Sequence, residues 1–593
     1  MTTIRYTVDA DPAAHLFKVR CQLAVDGEPL LFRLPNWIRG SYLVRDFAKH
    51  VVTLSAEGNG ERLMPQRVDK RSFRLAPPRG ELRVDYAVYA YDASVRKAYL
   101  EQRRGFFNGS SLFYCPQGFE QARFEVEVRR PQAAVCAGWK VATAMTPLNV
   151  DDDGFGVYAA DGYEELIDHP FELAAFQRVD FNVDGVPHAF VLSGRCEVDT
   201  ARLATDVGKI CHVQRELFGQ QPPLPRYLFL TQVTANGYGG LEHRASSALV
   251  TARDALPRPG ESKLRKGYRG FLGLVSHEYF HLWNVKRITA QAFAESDLAA
   301  EAYSRDLWAY EGITSYYDDL TLLRAGILDA PAYLDLLAEN ATRLQRTPGR
   351  KLQSLAESSF ETWIKYYQPD ENSPNQTVSY YVKGALAALC LDLRLRRDAS
   401  VSLDHVMRAL WTRYGAPDVP VPEHGIEQVA SELSGLDLSR FFDRVLRSTD
   451  ELPLAELLLD FGVHAALRCA TGPSDEGGRN DAKGAPLPFL GLQLRSGETT
   501  VQHVYAQSPA AQAGFAGGDQ LVALDSMRVS AGNWSRLLET LTPGRSVTLH
   551  FFRGDELLAA TLIPAAPLPD TWTLTLAEVG GDVLERRRRW LGT

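Results

Sequence analysis

The 593-residue chain reads as a multi-domain protein: an N-terminal all-β domain, a mostly helical α+β domain, and a short β-rich module near the end. Three observations predict this. A chain of this length exceeds what one hydrophobic core supports, so three or four domains are expected. Residues 1–170 show period-two alternation with no convincing long helix. Helical patterns dominate after residue 274, and short strands return beyond a polar, Gly-rich stretch at 473–485. The expected partition is 1–170, 171–472 and 486–566, followed by a tail at 567–593.

Within the first segment, Phe17, Val19, Cys21, Leu23 and Val25 alternate with mostly polar neighbours. Leu82, Val84, Tyr86 and Val88 do the same, as do Phe124, Val126 and Val128. Alternation of this kind marks half-buried strands. The stretch Pro35–Phe47 is dense in aromatics and arginines. Arg39, Tyr42 and Arg45 there either contribute to a substrate cleft or make aromatic and ionic packing at a domain interface. From 171 onward, strands are expected around Phe181–Val183, Ala189–Leu192, Tyr227–Val233 and Ala248–Thr251. A helix is expected over Asp199–Phe218, closed by Pro222, Pro223 and Pro225 because proline cannot continue a helix. Asn236–His243 reads as a Gly-rich loop. Later helices are expected over 307–323, 331–346, 382–397, 401–414, 425–433 and 438–446, the last entered by Asp437 as N-cap. The polar stretch at 473–485 reads as a flexible loop or linker.

The chemistry centres on Val275-Ser-His-Glu-Tyr-Phe-His-Leu-Trp283. His277 and His281 stand four residues apart, and on a helix such positions project from nearly the same side. Two imidazoles so placed can bind one zinc ion, with Glu278 angled to polarise a water. Leu272, Val275, Tyr279, Leu282 and Trp283 give that helix an apolar side. Asn284 and Arg287 stand where a pattern with a third histidine ligand needs Gly and His, so a carboxylate must complete the set. Glu295, Asp297, Glu301, Asp306, Glu311, Asp318 and Asp319 are candidates that spacing alone does not separate. Context favours Glu311, flanked by Trp308, Tyr310, Tyr316 and Tyr317, because a carboxylate buried among aromatics needs a partner and a metal is a good one. Gly312 beside it suggests close packing against another backbone. Thr314 and Ser315 are candidate supporting hydroxyls.

Composition limits the alternatives. Apolar residues make up 45% and charged residues 23%, as in an ordinary soluble globular protein. A net charge of −8 gives no general reason to expect nucleic-acid binding. The basic run Arg586–Arg589 reads as a solvated tail. Seven scattered cysteines without paired spacing argue for a reducing compartment. The amino terminus lacks the apolar core of a signal peptide, and no run of 18 apolar residues suggests a membrane span. Cytoplasm is the expected location.

Trp308-Ala-Tyr-Glu-Gly-Ile-Thr-Ser-Tyr-Tyr317 resembles the Trp-x-x-Glu-Gly segment of gluzincin metallopeptidases, whose glutamate is the third zinc ligand. Pro-x-Trp-x-x-Gly-Ser-Tyr-x-x-Arg-Asp-Phe at 35–47, His-Glu-x-x-His-x-x-Asn-x-Lys-Arg at 277–287 and the domain order narrow the resemblance to the glycyl aminopeptidase family, which carries a PDZ domain. It implies a thermolysin-like catalytic domain and one zinc per chain on His277, His281 and Glu311, with Glu278 as general base. Gly239-Gly-Leu-Glu-His243 is similar to the Gly-x-Met-Glu-Asn segment that holds a substrate's amino terminus on an edge strand. That likeness implies a role for Gly239, Gly240 and Glu242, although Leu241 and His243 depart from the pattern. Tyr380-Tyr-Val-Lys-Gly-Ala is similar to the segment supplying an oxyanion-stabilising tyrosine, which implies Tyr381, with Tyr380 as its one-off competitor.

Residues 487–565 resemble a PDZ domain of the bacterial protease type, carried by Ser508-Pro-Ala-Ala-Gln-Ala-Gly-Phe-Ala-Gly-Gly-Asp519. Leu490, Gly491 and Leu492 fall in its carboxylate-binding loop and the following strand, and 533–541 in the helix bordering the groove. Such a domain captures an extended peptide as an added strand. The expected activity is hydrolysis of the first peptide bond of peptides, with the resemblance implying small first residues, glycine and alanine. Alternatives are a zinc endopeptidase of the same fold and a PDZ peptide-binding scaffold with a vestigial metal site.

Overall fold

The computed structural model describes residues 2–219, 224–479 and 484–592. The expectations for Pro222, Pro223 and the 480–483 part of the polar stretch lie outside the described residues. The chain divides into two compact units, Met1–Ala302 with Trp411–Pro420, and Tyr303–Leu410 with Val421–Thr593. The boundary between the units after residue 302 falls inside the expected 171–472 segment.

In the first unit, an eight-stranded sheet is built around Leu16–Val25, which pairs antiparallel with Thr3–Asp11 and Gly80–Tyr89. Phe17, Val19, Cys21 and Leu23 are buried, one inward residue every second position. Two four-stranded sheets complete the β-domain. Its only described α-helices, Gly109–Leu112 and Tyr163–Asp168, are 4 and 6 residues long. The β-domain expectation holds.

The same unit continues into a five-stranded sheet in the order Gln177–Val183, Val186–Ser193, Tyr227–Thr234, Ser246–Ala252, Tyr238–Glu242. Tyr227–Thr234 runs parallel to both its neighbours, and its near-continuous apolar sequence follows from burial on both faces. Tyr238–Glu242 corrects the loop expected at 236–243. Its glycines lower strand propensity, but pairing with Ser246–Ala252 fixes it as the last strand of the sheet. Helices Thr200–Phe218 and Lys266–Phe280 pack together, with the Gln214 amide donating to the Ser276 carbonyl at 2.8 Å. Asp199 caps the first helix, accepting from the Arg202 amide at 3.0 Å.

His188, 2% exposed, shares a hydrogen bond with the Tyr279 hydroxyl at 3.0 Å, and its other nitrogen lies 2.9 Å from the Val186 carbonyl. Burial lowers its imidazole from the ordinary value to about 4. The unfolded chain, with an imidazole near its usual ~6.5, therefore binds more protons between those values, and stability falls as pH falls through that window. Urea unfolding should show wild-type stability dropping between pH 7 and 5 by about 2 kcal/mol more than that of a His188→Gln variant. An identical drop in both proteins would contradict the assignment.

In the second unit, helices Ile313–Arg324, Ala330–Gln345 and Val382–Asp398 form the core. A Cβ on Gly312 would lie 2.6 Å from the Gly384 backbone, so the close approach expected at Gly312 is present. Leu438, not Asp437, caps Ser439–Phe442, while the Asp437 carboxylate accepts from the Ser439 amide at 3.0 Å. The PDZ module packs around Leu490, Val501, Leu521, Leu524 and Leu549. Two expectations need correction. Residues 473–479 are not a free linker: the buried Asp475 carboxylate accepts from Thr471 and Arg468, and Arg479 pairs with Asp335 at 2.7 Å. Nor is 567–593 a tail. Pro569–Leu576 pairs antiparallel with Val463–Cys469, and helix Gly581–Leu591 buries Trp590 completely. Arg587 within the basic run is itself buried, donating to the Phe461 and Ala577 carbonyls.

Candidate active site

The helix carrying the histidine pair ends at Phe280, and His281 is its C-cap. The His277 and His281 Nε2 atoms lie 2.9 Å apart, with the rings edge-on at 89°. His281 Nδ1 lies 2.7 Å from the Asn284 carbonyl, so Nδ1–H donates there and Nε2 is left as a lone pair. That lone pair faces His277 Nε2, and a second lone pair there would complete a nitrogen pair for one cation. Two imidazoles on one tetrahedral zinc hold their nitrogens about 3.3 Å apart. The donor pair therefore fits zinc with a few tenths of an ångström of opening.

The turn after the helix is strained and pinned. Val285 has φ 103°, a costly conformation for a β-branched residue. The Lys286 amide donates to the His281 carbonyl at 3.2 Å, and its ammonium meets Asp168 at 2.5 Å. Burial alone would raise the Asp168 carboxyl; Lys286 and His243 outweigh it and hold its pKa well below the usual carboxylate range.

Glu278 is buried on the same helix, and the edge strand lies directly on it: a Cβ on Gly240 would stand 2.1 Å from the Glu278 carboxylate. Two positions further along that strand, Glu242 is 3% exposed, and its Oε1 has no hydrogen-bond partner among the described residues. A Cβ on Gly40 would fall 2.1 Å from that oxygen, and Gly40 has φ 91°, so glycine is required there twice over. Gly239 faces open space. Of the Pro35–Phe47 residues, Arg39 pairs with Glu164 and donates to the Phe293 and Ser296 carbonyls, and the Tyr42 ring packs 5.2 Å from Phe293. Arg45 donates to Ser41. These three take the packing role, and the residue of this stretch that meets Glu242 is Gly40. Gly40 is the fixed glycine of the 35–47 pattern, but nothing in the sequence ties it to Glu242.

In the second unit, Glu311 lies in a π-helical turn, Trp308–Gly312, and is 2% exposed. Such turns recur at functional sites. Thr314 spends its hydroxyl on the Tyr310 carbonyl at 2.7 Å. Tyr380 is fully buried, with the Thr362 hydroxyl donating to its own at 3.0 Å. The Tyr381 hydroxyl lies 3.3 Å from that of Tyr367. Burial first, then the Glu311 charge, push the Tyr381 phenol well above its usual value, so it keeps its proton. In the PDZ module, Leu490, Gly491 and Leu492 line a groove of ≈ 690 Å³ together with Trp534 and Leu538. Gly491 has φ 79°, and a Cβ there would strike Ser508 at 2.0 Å.

The profile of the Peptidase M61 N-terminal domain matches residues 5–175, that of M61 glycyl aminopeptidase 270–387, and that of a PDZ domain 488–563. A comparison with curated proteins finds no match. Among solved structures, an aminopeptidase N family protein from Idiomarina loihiensis shares 38% identity over 99% of this chain and 100% of that one, with a TM-score of 0.94. The M1 zinc metallopeptidase from Deinococcus radiodurans shares 15% over 76% of this chain and 94% of that one, at a TM-score of 0.48, too loose a likeness to bear on function. A helix pairing two imidazoles beside a buried glutamate, in a chain whose likeness to an aminopeptidase runs from end to end, leaves one assignment: it belongs to the M61 glycyl aminopeptidase family and is a zinc aminopeptidase.

Proposed function

We propose that His277, His281 and Glu311 hold one zinc ion per chain, and that Glu242 binds the α-ammonium of a peptide whose first bond is cut. The observation that carries this reading is the buried Glu242 carboxylate, whose Oε1 has no hydrogen-bond partner among the described residues, two residues along an edge strand from the glycine that rests on Glu278. An unpaired buried charge is costly, and a substrate ammonium removes the cost. When bound, zinc supplies a Lewis acid that polarises the scissile carbonyl and activates water. Glu278 takes the proton from the attacking water and delivers it to the departing amine. Tyr381, protonated, donates to the carbonyl oxygen as charge builds there. Glu242 makes the enzyme an exopeptidase by fixing the amino end at a set distance from Glu278.

Preference for glycine and alanine as the first residue is supported by the family's description and by the crowding of Gly40 and Gly240 onto the two carboxylates, which leaves little room for a side chain. The groove at Leu490, Gly491 and Leu492 takes a peptide carboxyl terminus as an added strand, a role supported by the single neighbour of Leu492–Leu494 among the described strands. All seven cysteines are free, which supports placement in a reducing compartment, the cytoplasm.

A panel of aminoacyl amides, free and acetylated at the amino end, tests the reading. Free glycyl and alanyl amides should be cleaved, acetylation should abolish cleavage, and a chelator should abolish the rest until zinc is restored. Chelator-sensitive cleavage of the acetylated series would instead make the enzyme an endopeptidase.

A further inference from the structure

Arg96 belongs to the β-domain yet reaches the edge strand, where its Nη2 donates to the Gly240 carbonyl at 3.1 Å. Its Nε is buried without a hydrogen-bond partner, and no carboxylate of the described residues pairs with it. The acid of its own segment is already engaged, since Asp92 pairs with Lys97 at 2.8 Å. A half-buried guanidinium without a counter-charge is poorly compensated unless an anion arrives. It stands at Gly240, the residue whose backbone rests on Glu278.

The spacing says which anion. Gly240 and Glu242 are two residues apart on an extended strand, about 6.6 Å. Two residues of extended peptide span at most about 7 Å. A dipeptide with its ammonium on Glu242 therefore carries its carboxylate to Gly240, within reach of Arg96, and its one peptide bond lies between, beside Glu278.

We propose that Arg96 is a carboxylate anchor that selects short peptides, dipeptides first, by pairing with the free α-carboxylate just beyond the scissile bond. This rests on Glu242 holding the ammonium, and it goes further by naming the substrate class. Glu242 and Arg96 then measure the substrate from both ends. Arg96 is a binding residue and takes no part in proton transfer.

The test compares Gly-Ala with Gly-Ala amide. Wild-type kcat/KM should favour the free acid by about 10- to 100-fold, the worth of one charge-assisted pair. The preference should lie in KM and shrink with added salt. In Arg96→Gln the acid-to-amide ratio should fall to about one, and in Arg96→Lys it should stay well above one. A wild-type ratio near one overturns the proposal with no variant needed. So does an Arg96→Gln protein that loses activity on both substrates equally, because that is the signature of a residue that merely holds the strand. Glycyl p-nitroanilide, which has no carboxylate, separates the two claims: if it is not cleaved, the ammonium-binding role of Glu242 has failed rather than the anchor.

Discussion

Glu278→Gln should lower kcat for glycyl amides about 10²- to 10⁴-fold, the range for loss of a positioned general base. The amide keeps the shape of the carboxylate and removes its ability to take a proton. Because Glu278 packs directly under Gly240, a near-isosteric change leaves that contact in place. Zinc content, measured on the purified protein, should stay at the wild-type level. Retained activity together with retained metal would remove Glu278 from the mechanism. Loss of both would mean the change disturbed His277 and His281, and the rate would then say nothing about proton transfer.

Glu242→Gln should move activity and stability in opposite directions. Truncating one partner of a buried charge pair costs 2–5 kcal/mol, so kcat/KM for free glycyl amides should fall about 10²- to 10³-fold. Without substrate, however, the carboxylate is a buried charge with no hydrogen bond to its Oε1. Neutralising it should raise the unfolding temperature of the substrate-free protein. A gain in thermal stability joined to a loss of activity is the expected pair. A glutamate serving only the fold would lose stability on the same substitution, and thermal unfolding decides between the two.

Much of this was legible in the sequence because the decisive signals are local. The histidine pair is one helical turn apart, and period-two alternation exposes Leu16–Val25 and Gly80–Tyr89 directly. Gly312 announced a close backbone approach, and Gly384 supplies it. The misreadings share a cause, which is pairing across long separations. Tyr238–Glu242 looks like a loop because its glycines hide the strand, and only Ser246–Ala252 reveals it. The last 27 residues look like a polar tail because the basic run outweighs Trp590 and Leu591 on any local scale, yet those two are buried. Gly40 stands out only as part of the 35–47 pattern and Arg96 not at all, since each matters through a residue far along the chain; Arg96 meets Gly240 at a separation of 144 positions.

The strand formed by Pro569–Leu576 closes on Val463–Cys469, with Cys469 opposite Pro569. The PDZ module is therefore spliced into a hairpin, leaving and re-entering through facing positions. A gene could gain or lose it by a single in-frame event and keep that hairpin whole. Termination anywhere before residue 569 would instead cost the protein a structural strand and the tryptophan that seals its last helix.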